Sequence, residues 1–117
     1  MKNILIVEDS KQYRSLLKAA LTAANYSVVM AEEGKEALNI IQKPDVKIDL
    51  ILLDLLMPGV DGISFYHTLV NKFEKNIPII VLTNVADANA YGPNIKNVLI
   101  KANVSIEEVL DEVKKYA

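Results

Sequence analysis

Cysteine is absent from the 117-residue sequence, which excludes disulfide bonds, thiolate metal sites and a cysteine nucleophile. Basic residues do not exceed acidic ones, and the formal net charge is -2. Without a basic surface for a phosphate backbone, direct binding to nucleic acid is not expected. No long hydrophobic run occurs near the start, because Glu8 and Asp9 interrupt the first one too early for a signal peptide or a membrane span. We therefore predict a soluble, cytoplasmic protein without a membrane partner.

The sequence also lacks repeats, low-complexity tracts and linkers. Hydrophobic residues make up 51% of the chain and charged residues 24%, which is typical of a folded globular domain. A chain of this length forms one domain with a substantial core and is too short for two ordinary domains. We predict a single domain over residues 1–117.

Short apolar runs alternate with stretches of helical periodicity. The runs are rich in Ile, Val and Leu with little polar alternation, which indicates strands buried on both faces of a parallel sheet. They comprise residues 4–7, 28–31, 50–53, 77–82 and 97–100. The element order is βαβαβαβαβα, which predicts an α/β fold with a parallel sheet between two layers of helices.

Local signals set the helix boundaries. Ser10 is the predicted cap of the first helix, and Pro44 stops the second. Ser105, with Glu108 three residues later, forms a predicted capping box for the last helix. The weakest helical pattern lies in residues 84–95, where residues 86–91 are long enough for about two turns.

Polar side chains stand at the carboxyl ends of four of the predicted strands. Glu8 and Asp9 follow the first run, Asp54 follows the third, Thr83 follows the fourth and Lys101 follows the fifth. In a doubly wound sheet, ligands bind outside these strand ends. The sequence therefore predicts three acids, a hydroxyl and an ammonium at one edge of the sheet.

These groups suit phosphoryl transfer. Crowded carboxylates repel one another, and a hard divalent cation such as Mg²⁺ relieves that repulsion while accepting oxygen ligands. Phosphoryl transfer depends chiefly on positioning and on charge neutralisation. A carboxylate nucleophile at Asp54, with Thr83 and Lys101 to hold the phosphoryl oxygens, meets both needs.

Four segments carry a resemblance to a known family. The sequence resembles the receiver domains of bacterial two-component response regulators over essentially its whole length. The segments are ILIVEDS at residues 4–10, DLILLDLLMPGVDG at 49–62, PIIVLT at 78–83 and VLIK at 98–101. The resemblance implies a flavodoxin-like fold, with five parallel strands in the order 2-1-3-4-5 and helices on both faces.

The resemblance also implies roles for individual residues. Asp54 is the implied phosphoacceptor, and Thr83 and Lys101 are the implied phosphoryl-binding residues. Asp9 and Asp54 are implied to bind Mg²⁺ directly, and Glu8 through water. Leu56 is implied to contribute its backbone carbonyl to the same ion.

By the same resemblance, the phosphoryl donor is a sensor histidine kinase or a histidine phosphotransfer protein. The domain is then a phosphoacceptor switch rather than an enzyme. It is expected to assist its own phosphorylation and dephosphorylation, and to change conformation over residues 84–101. A monomer and a phosphorylation-linked homodimer both fit, as do a stand-alone receiver and a domain of a longer regulator with an unknown output.

Two positions depart from the family pattern. The family usually has proline in a cis bond after its lysine, and this chain has Ala102. The family commonly has a switching aromatic three residues before the lysine, and this chain has Val98. We expect a trans Lys101–Ala102 peptide, since a cis bond before a non-proline residue costs about 3 kcal/mol. We also expect the conformational output to come from residues 84–95, where Tyr91 could replace the aromatic, rather than from Val98.

Other functions fit the residues less well. A haloacid-dehalogenase-like phosphatase needs an aspartate two residues after its nucleophile, where this chain has Leu56. A flavodoxin needs a phosphate-binding loop after the first strand, where Glu8 and Asp9 would repel phosphate. A degenerate receiver that only binds partners is disfavoured by the intact set of acids, threonine and lysine. His67, the sole histidine, is interpreted as a solvent-exposed helix residue.

Overall fold

A five-stranded parallel sheet forms the centre of the computed structural model, which describes residues 1–55, 62–73, 75–84 and 92–117. The strand order is β2-β1-β3-β4-β5, and each neighbouring pair is parallel. This confirms the flavodoxin-like topology that the sequence predicted. The strands are β1 (Asn3–Val7), β2 (Ser27–Ala31), β3 (Leu50–Leu53), β4 (Ile79–Thr83) and β5 (Ile95–Ile100).

The helices that the structure describes lie between the first four strands and after the last. They are α1 (Lys11–Ala23), α2 (Gly34–Gln42), α3 (Gly62–His67) and α4 (Ile106–Tyr116), and α3 continues into a π-helical segment, Thr68–Lys72. The short helix predicted at residues 86–91 lies outside the described residues. Among the described residues, no helix has the length and apolar character needed to cross a membrane.

The predicted caps are present. The Ser10 hydroxyl accepts a hydrogen bond from the Tyr13 amide at the start of α1. At the start of α4, Ser105 and Glu108 form the reciprocal capping box, in which each side chain accepts from the other residue's amide. All three bonds satisfy amides that lack a partner within the helix.

The sheet divides the core into two apolar clusters. One cluster packs α1 and α4 against one face, with Leu17, Leu21, Val109 and Val113 among its buried residues. The other cluster lies on the opposite face, beneath α2 and α3. Because both faces are covered, β3 and β4 are buried throughout, as their continuous apolar runs indicated.

Four strands differ from their predicted bounds, β1 and β2 only by starting one residue earlier. β4 begins at Ile79 rather than at residue 77, since Pro78 has no amide hydrogen to donate to the ladder. β5 begins at Ile95, two residues before the predicted start at Asn97. The pairing with β4 shifts register there, from Ile79–Ile95 to Ile80–Asn97, so Lys96 is an extra residue in the ladder that the apolar pattern did not reveal.

Candidate functional site

Glu8 and Asp54 lie side by side at the carboxyl edge of the sheet. They directly follow the paired residues Val7 and Leu53 of the neighbouring strands β1 and β3. The Asp54 amide donates to the Val7 carbonyl at 3.0 Å, which extends the pairing by one step. Both acidic residues are buried, with 3% of Glu8 and 6% of Asp54 exposed. The fold therefore places two carboxylates close together and away from bulk water.

The Lys101 ammonium binds both of these carboxylates. Its Nζ donates to Oδ2 of Asp54 at 3.0 Å and also to Oε1 of Glu8. Only 13% of the lysine side chain is exposed. Lys101 thus bridges the ends of β1 and β3 from its own position just beyond β5.

Thr83 is fully buried at the end of β4 and adjoins Lys101 through the backbone. Thr83 pairs with Ile100 in the ladder, and the Lys101 amide donates to the Thr83 carbonyl at 2.9 Å. The hydroxyl and the ammonium are therefore held at the ends of adjacent strands. Together, Thr83 and Lys101 form what we term the Thr–Lys side of the site.

A single ammonium pairs with two buried carboxylates, so the site keeps an excess of negative charge. Burial raises the pKa of Glu8 above its usual value, and its hydrogen bond with Lys101 does not fully offset that effect. Burial alone would lower the pKa of Lys101, but its bonds to Glu8 and Asp54 outweigh burial and raise it. The two shifts therefore have different causes, namely burial for Glu8 and the neighbouring carboxylates for Lys101.

Glu8, Asp9 and Asp54 form a set of oxygen donors suited to a cation. One carboxylate oxygen from each lies within 4.8 Å of the others. Asp9 is exposed, whereas the other two are buried, so the set opens to solvent at one end. We term Glu8 and Asp9 the acid side of the site. Leu56, whose carbonyl was predicted to join this set, lies outside the described residues.

Tyr13 of α1 also belongs to the site. The Lys101 ammonium lies over its ring, 4.6 Å from the centroid, in a cation–π contact. Tyr13 packs against the α1–α4 cluster, and its ring also forms one wall around the lysine.

Gly62 is a second residue whose role the sequence did not reveal. A Cβ atom at this position would lie 2.5 Å from the Leu55 Cα and 2.6 Å from the Asp54 carbonyl oxygen. The Gly62 amide donates to the Leu55 carbonyl at 3.1 Å. Only glycine allows α3 to start this close to the backbone that carries Asp54.

Ala102 makes a contact that proline could not make. Its amide donates to Oδ1 of Asn84 at 3.2 Å, which ties the residue after Thr83 to the residue after Lys101. The Lys101–Ala102 peptide is trans, as predicted, and no cis peptide occurs among the described residues. The departure from the family pattern at Ala102 thus adds a hydrogen bond on the Thr–Lys side.

His67 and Val98, two further candidate residues, lie on α3 and β5. His67 is exposed at the end of α3, in agreement with its interpretation as a surface residue. Val98 is partly buried in β5 and packs against the α2–α3 cluster. Tyr91, the candidate replacement for the switching aromatic, lies outside the described residues.

Comparison with known proteins gives the family directly. The family model described as the response regulator receiver domain matches residues 4–113. The chain belongs to this family. A receiver domain is a phosphoacceptor switch in two-component signalling, so the family agrees with the cluster of acids, threonine and lysine at the sheet edge.

Individual relatives agree with this assignment. The transcriptional regulatory protein ResD of Bacillus subtilis is 45% identical over 80 residues, which cover 68% of this chain and 32% of ResD. YrkP, an uncharacterised transcriptional regulatory protein of the same organism, is 39% identical over 80 residues, with the same coverage of 68% and 32%. The receiver domain therefore matches about a third of each of these relatives.

Solved structures match over nearly the whole chain. The response regulator TrrA of Thermotoga maritima, solved in complex with Mg²⁺ and BeF, is 31% identical with a TM-score of 0.85 and covers 100% of both chains. A structure of the histidine kinase ThkA in complex with TrrA matches at 31% identity and a TM-score of 0.83, covering 99% of this chain and 98% of the other. A two-component response regulator of Clostridium difficile has a TM-score of 0.88 at 26% identity, covering 99% and 95%.

Proposed function

We propose that this receiver domain accepts a phosphoryl group on the Asp54 carboxylate in a Mg²⁺-dependent reaction. The observation that carries the proposal is the position of Asp54 between the Lys101 ammonium and the acid side. An aspartate at a strand end is common, but one held by a buried ammonium beside two further acids is suited to phosphoryl chemistry.

The reaction forms one bond and breaks another. A carboxylate oxygen of Asp54 bonds to the phosphorus of a phosphohistidine or a small acyl phosphate. The bond from phosphorus to the donor's nitrogen or oxygen breaks, and the leaving group takes its electron pair. No oxidant or reductant is needed, and the product is an aspartyl phosphate on the receiver.

Mg²⁺ fits the donor set at the acid side. Glu8, Asp9 and Asp54 offer carboxylate oxygens, which this ion prefers, and one ammonium leaves their charge only partly neutralised. We propose that Asp9 and Asp54 hold the ion directly, that Glu8 acts through water, and that the Leu56 carbonyl contributes a further ligand. When bound, the ion supplies positive charge beside the acceptor oxygen.

Thr83 and Lys101 would bind the phosphoryl oxygens. Lys101 already donates to Oδ2 of Asp54, so its ammonium lies beside the position where the negative charge of the product accumulates. Thr83 adjoins it through the β4–β5 pairing. Preorganised donors at such a position stabilise charge in the transition state without reorganising. The same groups would also assist hydrolysis of the product, so the domain is a switch with self-catalysed steps rather than an enzyme acting on other molecules.

We infer that the phosphoryl donor is a sensor histidine kinase or a histidine phosphotransfer protein. Support comes from TrrA, which matches the whole chain and has been solved with the kinase ThkA. We further propose one domain over residues 1–117, a cytoplasmic location, and a response to phosphorylation within residues 84–101. Monomer and phosphorylation-linked homodimer remain the two candidate assemblies, and the downstream target is a protein or output domain of unknown identity.

Intact mass spectrometry tests the proposed chemistry. The protein is incubated with acetyl phosphate and Mg²⁺, and we expect the mass of a single phosphoryl group to be added. The adduct should be absent from the Asp54→Asn variant, because an amide oxygen is a poor nucleophile, and absent after chelation of the metal. Asp49→Asn is a matched control at the opposite end of β3 and should label like the wild type. Persistent labelling of Asp54→Asn at another residue would overturn the assignment.

A further inference from the structure

Arg14 of α1 is a charged residue in a buried position. Only 9% of the residue is exposed. Burying a guanidinium is unfavourable unless its donors find partners, so its contacts indicate what the residue is for. The acceptors that it reaches belong largely to the acid side of the site.

The guanidinium binds the backbone that carries both acids. Nη1 donates to the carbonyl of Glu8 at 2.8 Å and to the carbonyl of Asp9 at 2.9 Å. Nη2 donates to Oε1 of Glu32 at 3.3 Å, but the Glu32 side chain is 70% exposed. The two shorter bonds go to neutral carbonyls, and the single ionic partner is largely in solvent.

The Glu8 and Asp9 carbonyls lie just after β1, where strand pairing no longer holds the backbone in place. β1 ends at Val7, and the last ladder-like bond is from the Glu8 amide to the Ala31 carbonyl at 3.0 Å. Beyond it the chain turns into α1, and the Arg14 amide donates to the Ser10 carbonyl. The Arg14 side chain then reaches back across that turn to the two carbonyls.

The acid side chains are oriented by the same turn. The Ser10 amide donates to Oε2 of Glu8 at 2.9 Å, so the direction of that carboxylate depends on the backbone path through Asp9. Carboxylates that repel each other would separate if this path were free to change. A donor that fixes both carbonyls resists that separation.

We propose that Arg14 is a positioning residue that holds the Glu8–Asp9 backbone so that both carboxylates point to the cation site beside Asp54. The inference rests on the proposed metal site. The guanidinium bonds go to the carbonyls of Glu8 and Asp9 and to the Glu32 carboxylate. The contribution of Arg14 is to preorganise the ligands, as residues behind metal ligands commonly do.

A purely electrostatic role and a positioning role for Arg14 predict opposite changes in Mg²⁺ affinity when the residue is replaced. A guanidinium near the acids repels a second cation, so its loss would strengthen Mg²⁺ binding if charge were its main contribution. If positioning is its main contribution, the loss weakens binding although one positive charge has gone. The sign of the change in affinity therefore separates the two accounts.

Calorimetric titration of the metal-free 117-residue protein with Mg²⁺ measures that sign. We expect Arg14→Met, which keeps the length of the side chain but removes its donors, to raise the Kd for Mg²⁺ about tenfold. Arg14→Lys should give an intermediate loss, since one ammonium replaces the planar guanidinium donors imperfectly. Glu32→Gln should stay within about twofold of the wild type, because it leaves both carbonyl bonds intact. An unchanged or lower Kd for Arg14→Met would overturn the proposal.

A stability control separates positioning from general destabilisation. Val113→Ala removes buried methyl groups from the α1–α4 cluster, away from the acid side, and should lower the thermal midpoint without changing the Kd for Mg²⁺ at temperatures where the protein is folded. A Kd that rises equally in Val113→Ala would show that Arg14 contributes only stability, which overturns the positioning role.

Hydrogen exchange without metal gives a second, independent readout. The Ser10 and Tyr13 amides should exchange faster in Arg14→Met than in the wild type, and at the wild-type rate in Val113→Ala corrected for global stability. If the wild-type protein binds no Mg²⁺, the proposed metal site fails, while the exchange rates still decide whether Arg14 holds this turn. Unchanged exchange at both amides in Arg14→Met contradicts the positioning role.

Discussion

The two sides of the site are held in different ways. On the acid side, a buried guanidinium and backbone amides fix the residues that follow β1. On the Thr–Lys side, the Lys101 amide donates to the Thr83 carbonyl just beyond the β4–β5 ladder, and the Ala102 amide donates to Asn84 in an exposed contact. The Lys101 ammonium is held by the acids themselves, through its bonds to Glu8 and Asp54. The residues proposed to bind metal are therefore positioned by Arg14 and the backbone behind them, whereas the ammonium proposed to bind the phosphoryl group takes its position from the acids.

Replacement of Lys101 should have the largest effect, and it should change the phosphorylation rate and the Mg²⁺ affinity differently. In Lys101→Met, the rate of phosphorylation by acetyl phosphate should fall by about 10², because a preorganised donor to the developing charge is lost. Binding of Mg²⁺ should be unchanged or tighter, since the competing ammonium has been removed. Rapid-quench labelling gives the rate, and calorimetry gives the affinity. Lys96→Met is the matched control, because Lys96 is an exposed lysine in β5, the strand that Lys101 directly follows.

A parallel loss of metal affinity and rate in Lys101→Met would contradict this division. It would mean that Lys101 organises the acid side as well. The comparison between the two sides would then have to be abandoned.

Replacing Glu8 tests how much the buried carboxylate of this residue destabilises the folded protein. The folded-state pKa of Glu8 lies above its usual value of 4.5, so the folded protein binds this proton more tightly than the unfolded chain does. The free energy of unfolding contributed by Glu8 therefore falls as pH rises from about 4.5 through the folded-state pKa, and it is level above. Without metal at pH 7, Glu8→Gln should be more stable than the wild type, by about 1 kcal/mol.

Urea unfolding at a series of pH values measures this difference. The advantage of Glu8→Gln should shrink as pH falls from the raised folded-state pKa towards 4.5, because the wild-type carboxyl takes up its proton in the folded state over that range. The exposed Glu107→Gln serves as the control and should show little advantage. A Glu8→Gln protein that is less stable than the wild type at every pH would show that Lys101 fully compensates the buried carboxylate.

The contact between Asn84 and Ala102 should give the smallest effect. Asn84→Ala removes the acceptor and should cost about 0.5 kcal/mol of unfolding free energy, since the bond is exposed to water. Ala102→Pro removes the donor instead. In a double-mutant cycle, the acceptor substitution should cost nothing once the donor is gone. Fully additive losses would show that the hydrogen bond makes no contribution.

The sequence predicted the sheet and the residues at its edge because both depend on local signals. Buried parallel strands appear as continuous apolar runs, and the polar residues that end those runs meet at one edge in any such sheet. Arg14 could not be recognised in this way. On a helix it resembles a surface cation, and its burial depends on where the turn between β1 and α1 brings the backbone carbonyls.

The same limit applies to the other contacts that were missed. The role of Gly62 depends on how closely α3 approaches the backbone after β3, and that of Tyr13 on the path of Lys101 from a distant strand. The π-helical segment Thr68–Lys72 keeps a helical pattern of apolar residues, so only its hydrogen bonding distinguishes it from the predicted helix.

Hydrogen exchange with and without Mg²⁺ and beryllofluoride, a phosphoryl mimic, tests the central claim that one side of the site is fixed and the other responds. We predict that protection changes in residues 84–95, while residues 8–14 and the strand around Val98 keep their metal-bound protection. The sequence of residues 84–95 is rich in weak helix formers, so we expect that a few kcal/mol would shift their arrangement. A change in β5 or in residues 8–14, without one in residues 84–95, would contradict the account.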